Sequence, residues 1–210
     1  GEWLDGNLVM LKDLHIPNHR VETYDKEQRT QLQKAFGYTY EEVKNTILPM
    51  ARNGAEPIGS MGIDRPLNVL DKQPNNLFGY FKQLFAQVTN PPIDAIREKI
   101  ITATSVYIGT DGNLLEEKES NCNVLRVNNP ILTNTDLLKI KYMNKEGFKV
   151  AVIPIIYYKN TSMEKAIERL YLEADRAYKD GVNIIILSDR GVDENHVAIP
   201  SLLAVAAMQQ

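Results

Sequence analysis

"FKVAVIPIIYY", residues 148–158, is the stretch that decides the fold. It is an almost unbroken apolar run rich in Val and Ile, the composition of a strand covered on both faces. Behind it, Thr161 and Glu164 have the spacing of a capping box that opens a helix. Apolar residues at 163, 166, 167, 170, 174 and 177 keep to one face of that helix, and Gly181 supplies its stop. "VNIIILS", residues 182–188, then reads as a second buried strand. Strand, helix and strand in this order make a βαβ unit, with parallel strands and a right-handed crossover. Ser188-Asp189-Arg190-Gly191 falls at the carboxyl end of the second strand, where open α/β sheets and barrels gather their ligands.

Upstream the pattern changes. Residues 1–20 form a polar segment around one short apolar run, Leu8 to Leu14. "YDKEQRTQLQKAFG" predicts a charged surface helix stopped by Gly37, and Thr39 with Glu42 predicts a second capping box, leading a helix past Val43 and Ile47 toward Gly54. Residues 54–76 are rich in Gly and Pro and lack periodicity, so they read as loop. Apolar residues at 77, 78, 81, 84, 85 and 88 predict a helix that must end at Pro91-Pro92. Ile93, Ile96, Ile100 and Ile101 mark the next helix, with Asp94 at its cap. "VYIGTDGNLLEE" (106–117) predicts a hairpin or tight turn around Asp111-Gly112, and Thr133 with Asp136 opens a further short helix.

These elements give an α/β fold: parallel βαβ units in a reduced or partial barrel-like domain, with a mostly helical amino-terminal part. An eight-stranded α/β barrel needs ~250 residues and more strands than the pattern supplies. Residues 1–76 form a helical, loop-rich leading segment and 77–210 the α/β core, together one domain. Neither end carries a capping or signal pattern, so the chain reads as a segment of something longer.

The 210 residues are 43% hydrophobic, enough for a core, and carry a net charge of −3 with signs well mixed. No basic block offers a nucleic-acid footprint, and no apolar run approaches the ~18 residues of a membrane span. The single cysteine, Cys122, excludes an internal disulfide and fits a reducing cytoplasm.

The chemistry is sparse. Cys122 has no neighbouring His or basic cluster in sequence to activate it. His15 and His19 have the i, i+4 spacing of a metal pair, but Pro17 between them disrupts a regular helix and no carboxylate follows at a useful distance. His196 reads as a loop residue. "GTDGN" lacks the lysine and hydroxyl of a phosphate loop, and no dinucleotide fingerprint follows either strand. Asp189 and Arg190 bind a polar substrate or pair with each other in a tight turn. Thr89, Asn90 and Asp94, at the proline joint, either line a polar wall for a small neutral molecule or cap the next helix.

The strings "GEWLDGNL", "QLQKAFGYTYEEV", "EPIGSMGIDRPLNVLD", "YFKQLFAQVTNPPIDAIRE", "NPILTN" and "IIILSDRGVDENHVAIPSLLAVAA" resemble the central domain of the glutamate synthase large subunit, in the family's order and from Gly1 to Ala207. The resemblance implies a domain related to the family's FMN-binding barrel yet without FMN of its own. It implies a scaffold, inactive in isolation, between the glutaminase region and the FMN synthase region with its iron–sulfur cluster. On this reading the domain walls part of the ammonia passage that supports glutamate formation from glutamine and 2-oxoglutarate. Thr89, Asn90, Pro91, Pro92 and Ile93 match one family string and Gly59, Ser60 and Met61 another; these are the expected passage or interdomain residues. Asp94, Arg97, Asp189 and Arg190 are expected to support them. No metal ligand is expected in this segment, and exposed interdomain surfaces imply that it self-associates when isolated. The rival expectation is a free-standing α/β flavin- or phosphate-binding enzyme with its site at Ser188-Asp189-Arg190-Gly191.

Overall fold

The computed structural model describes residues 1–57, 72, 76–81, 92–110, 112–113 and 115–209. Its strands are β1 (Val9–Met10), β2 (Val106–Gly109), β3 (Val124–Val127), β4 (Val150–Pro154), β5 (Ile156–Tyr158), β6 (Ile184–Ser188) and β7 (His196–Ala198). The helices are α1 (Glu2–Asn7), α2 (Lys26–Ala35), α3 (Tyr40–Glu42), α4 (Leu48–Asn53), α5 (Glu98–Ile101), α6 (Asn134–Lys141), α7 (Met163–Lys179) and α8 (Ser201–Met208). The chain divides into two compact units, one of residues 1–21 with 99–210 and the other of residues 22–98.

The first unit contains the βαβ motif read from the sequence. β4 and β6 pair in parallel from Val150↔Ile184 to Pro154↔Ser188, with α7 as the crossover. The apolar run 148–158, expected as one strand, is two. Pro154 has no N–H, and beyond it the chain leaves β4's sheet. β5 pairs antiparallel with β7, Ile156 opposite Ala198 and Tyr158 opposite His196. Ile155, 1% exposed, is the pivot: its N–H donates to the Ser188 carbonyl at 2.8 Å, and its carbonyl accepts from the Ile199 N–H at 2.8 Å. His196 therefore lies in a strand and not in the loop expected for it.

The cap of α7 is also one residue later than its spacing suggested. Ser162, not Thr161, accepts the Lys165 N–H. Glu164 then stands too early for the reciprocal arm of a capping box. Its carboxyl is held below the usual carboxylate range, first by its own backbone N–H and then by the Ser162 hydroxyl. From this start most of the predicted face is buried: Ala166, Leu170, Ala174 and Ala177 point inward, Ile167 is partly buried and Met163 is exposed.

Two apolar clusters result. Ile153, Ile155, Ala166, Leu170, Ala174, Ile199 and Ala204 join α7, α8 and one face of the β4–β6 pair. Leu14, Leu125, Val127, Ile140, Phe148 and Ile184 form the other, with Val150 and Ile186 packed against it. Burying side chains of this size stabilises by about 1.5–3 kcal/mol each. The second cluster rests on the sheet β1-β3-β2, in which β1 is parallel and β2 antiparallel to β3. Of the hairpin or tight turn expected around Asp111-Gly112, the hairpin does not form with the residues just beyond Gly112, since β2 pairs with Val124–Val127; Gly112 has φ +64°, and Asp111 lies outside the described residues. The described strands form three small sheets and no closed barrel.

In the second unit, Asp25 and Gln28 cap α2 reciprocally, and Gly37 follows it at φ +78°. Thr39 and Glu42 form the predicted box, Glu42 N–H to Thr39 Oγ1 at 3.1 Å and Thr39 N–H to Glu42 Oε2 at 2.8 Å. Between α3 and α4 lies a π-helical turn, Val43–Ile47, in which the Leu48 N–H reaches back to the Val43 carbonyl. Pro49 accounts for it: the ring supplies no donor and crowds the carbonyl four residues back, and a widened turn relieves both. Of the helix expected over 77–88, the described residues Leu77–Phe81 are a 3₁₀ helix; its remainder lies outside the described residues.

Candidate functional site

Of the residues expected at the passage, Gly59, Ser60, Met61, Thr89, Asn90 and Pro91 lie outside the described residues. Pro92 is exposed and Ile93 half-buried. Asp94 turns the chain immediately after them. Its Oδ1 accepts the N–H groups of Ile96 at 2.9 Å and Arg97 at 3.0 Å, while its Oδ2 pairs with Arg97 Nε at 3.2 Å. Both side chains are largely exposed, so the ion pair itself adds little; the carboxylate's hold on two backbone donors is the main contribution. The expected helix over 93–101 is a turn followed by the single-turn α5. Ile96 is 89% exposed and Ile100 79% exposed, so the isoleucines that signalled a buried face are at the surface.

At the strand end, Asp189 is half-buried and Arg190 exposed. The Arg190 guanidinium donates from Nη2 to Asn134 Oδ1 at 2.9 Å, and the Arg190 backbone N–H donates to Ser188 Oγ at 3.4 Å. Arg190 thereby joins the end of β6 to the first turn of α6. In that turn the Thr133 hydroxyl donates to Asp136 Oδ2 at 2.7 Å while accepting the Asp136 N–H. The Asp136 carboxyl is held below the usual range, chiefly by that hydroxyl, with Lys139 adding to the effect.

Two of the three histidines, His19 and His196, make ring contacts, and His15 is exposed. His19 stacks on Tyr142, ring centroids 3.8 Å apart and planes within 8°. His196 Nδ1 lies 2.9 Å from Asp193 Oδ1, with Tyr158 against its edge. Asp193 is held below the usual carboxylate range by the Asn195 N–H first, then by the His196 ring and N–H. Among the described residues no group of three or more His, Cys, Asp or Glu is placed to hold a metal ion, and no helix is long and apolar enough to cross a membrane.

Sequence reasoning missed Arg169. From the middle of α7 its Nη2 donates to the carbonyls of Pro154 at 2.9 Å and Ile156 at 3.0 Å, with Glu173 Oε1 3.3 Å from Nη1. The signal available was only a proline inside an apolar run, which marks an edge or break in the ladder without naming what bonds there.

These observations define an α/β domain organised around a βαβ unit, in which the polar contacts described above serve caps, strand ends and turns. The chain belongs to the glutamate synthase central domain family, which it matches over residues 31–210. It is 39% identical to the glutamate synthase [NADPH] large chain of Bacillus subtilis, over all of this chain and 13% of that protein. It is 45% identical to the glutamate synthase [NADH] of Schizosaccharomyces pombe over 83% of this chain and 8% of that protein. With the ferredoxin-dependent glutamate synthase 2 of Synechocystis the identity is 39%, over 99% of this chain and 14% of that protein. The chain thus spans about a seventh or less of each of these relatives.

Proposed function

We propose that this chain is the interdomain scaffold of a glutamate synthase, joining the glutaminase region to the FMN synthase region and walling part of the ammonia passage between them. The observation that carries the reading is the match to the central domain family over 31–210, in a chain corresponding to only 8–14% of the relatives named above. A barrel-related origin of the domain belongs to the same proposal. So does a position in the cytoplasm.

The chemistry of the chain is in keeping with this role. Iron–sulfur clusters are held by sets of cysteine thiolates, and Cys122 alone does not fit one. FMN and the cluster are accordingly assigned to other regions of the same polypeptide, and no step is routed through them here. The passage residues are Gly59, Ser60, Met61, Thr89, Asn90, Pro91, Pro92 and Ile93, with Asp94 and Arg97 fixing the turn behind them. Asp189 and Arg190 have the same supporting role at the strand end. Backbone carbonyls left free by consecutive prolines, together with small polar side chains, confine ammonia away from bulk water and raise its effective concentration at the second site.

The test is Asn90→Ala in a full-length glutamate synthase carrying this domain. Leakage predicts more glutamine hydrolysed per glutamate formed, with free ammonia in solution. An unchanged ratio at normal rates reduces Thr-Asn-Pro-Pro to a corner between helices and removes the passage from the proposal.

A further inference from the structure

α4 ends at Asn53-Gly54, the one Asn-Gly step in the chain. This dipeptide carries a reaction of its own. The side-chain amide carbon of an asparagine is an electrophile, and the next residue's backbone nitrogen can close a five-membered ring on it. A following glycine, with no Cβ, leaves that approach unhindered. Both residues are exposed, and a Cβ built on Gly54 meets nothing within 4 Å beyond its chain neighbours. The Asn53 side chain makes no hydrogen bond among the described residues. Other asparagines are held. Asn183 accepts the Lys149 N–H at 2.9 Å and donates to the Gly147 carbonyl at 2.6 Å, and Asn121 donates to the carbonyls of Asn113 at 3.0 Å and Glu116 at 2.8 Å.

One bond stands in the way of the reaction. The Gly54 N–H donates to the Met50 carbonyl at 2.9 Å, closing the last turn of α4 with Gly54 at φ +63°. A nitrogen engaged in this way keeps its proton and faces along the helix, not toward the Asn53 side chain. The turn that makes the bond is itself weakly held. α4 buries none of its residues. Behind it the helical ladder is already interrupted, by Pro49, which supplies no donor, and by the π-helical turn Val43–Ile47. A helix end secured by solvent-exposed hydrogen bonds alone lies at the low end of local opening free energies.

We propose that Asn53 is a site of spontaneous covalent modification, gated by the opening of the last turn of α4. Once the turn opens, the Gly54 nitrogen attacks Asn53 Cγ. The new C–N bond replaces the side-chain amide bond, and the amide NH₂ leaves with the Gly54 proton as ammonia. Water then opens the cyclic imide at either carbonyl, giving aspartate or isoaspartate. Either product weakens the turn that guarded it. A carboxylate at a helix C-terminus opposes the negative end of the macrodipole. Isoaspartate also adds a carbon to the backbone, which moves the Gly54 N–H off the Met50 carbonyl. The inference lies outside the scaffold reading and requires nothing of the ammonia passage.

The experiment is peptide mapping by mass spectrometry on a full-length glutamate synthase carrying this domain, held in mildly alkaline buffer and sampled over time. Asn53 is expected to lose its amide before any other asparagine, with isoaspartate as the major product. In urea the same chain is expected to react about 10-fold faster at Asn53, because the gate is then always open. Gly54→Ala, measured in urea where folding is immaterial, is expected to slow the reaction at least ~10-fold by crowding the attacking nitrogen. An intact Asn53 beside modified asparagines elsewhere overturns the proposal. So does aspartate without isoaspartate, the mark of direct hydrolysis, and so do equal rates in the folded protein and in urea. The Asn90→Ala ratio is measured separately, so either idea can fail while the other stands.

Discussion

At the scale of single residues, Arg169 shows how a local irregularity is stabilised. The break at Pro154 frees two carbonyls, and one guanidinium accepts the task of bonding both. Hydrogen bonds to a charged donor contribute about 1.5–3 kcal/mol, so Arg169→Ala is expected to lower stability by about 2 kcal/mol, read as a shift in the urea midpoint. Arg169→Lys, a point donor unable to fork, is expected to recover less than half of that loss. Asp136 gives a pH signature. Its folded-state pKa is depressed, so its contribution is fully present above the ordinary aspartate value of ~4 and is lost as pH falls through the lower folded value. Asp136→Asn should therefore be less stable at pH 7 and lose less stability than the parent between pH 5 and pH 2. Parallel stability curves for the two proteins would remove this assignment. Only one of the two roles was readable from the sequence. Thr133 and Asp136 showed their cap by spacing alone, whereas Arg169 finds its partners only once α7 is laid across the strand break.

At the scale of elements, periodicity and cap spacing conveyed most of what is observed. The parallel β4–α7–β6 motif, the inward face of α7 and the Thr39–Glu42 box all follow from local pattern. What local pattern misplaces is a boundary set by one residue. Thr161 and Ser162 are both competent caps; the Thr161 N–H closes a turn onto the Tyr158 carbonyl and Ser162 takes the cap. Ser162→Ala is expected to cost about 1 kcal/mol of stability, and Thr161→Ala to stay within about 0.5 kcal/mol. Equal losses in thermal or urea unfolding would return the cap to Thr161. The split of the run 148–158 has a similar origin: hydrophobicity alone cannot show that Ile155 bonds to both β6 and Ile199. As for the proposed passage, its residues were expected only from a resemblance, because prolines, an asparagine and a threonine announce a corner and a wall equally well.

At the scale of the whole molecule, the decisive contacts are those farthest apart in sequence. Residues 1–21 carry one short apolar run, yet β1 adds to β3 at Val9↔Leu125 and Met10↔Arg126, and Leu14 enters the cluster of Leu125, Val127, Ile140, Phe148 and Ile184. No local signal could join them, because a two-residue strand has no periodicity and its pairing is settled by the face it covers. The leading segment is thus part of the α/β unit that resumes at Lys99, with residues 22–98 intervening in sequence. Leu14 is only 7% exposed, and a buried Leu→Ala change typically costs 2–5 kcal/mol in lost transfer and residual cavity. Leu14→Ala is therefore expected to destabilise the unit by about 3 kcal/mol, and to speed amide exchange of Leu125 and Val127 by about 100-fold where exchange requires its opening. Ile16, two residues on and 59% exposed, provides the control, with Ile16→Ala leaving both readouts within about 0.5 kcal/mol. Should Leu14→Ala weaken only residues 1–21 and leave β3 protected, the leading segment would be a cover laid on a finished core. Loss of protection in β3 would make it one of the layers from which that core is built.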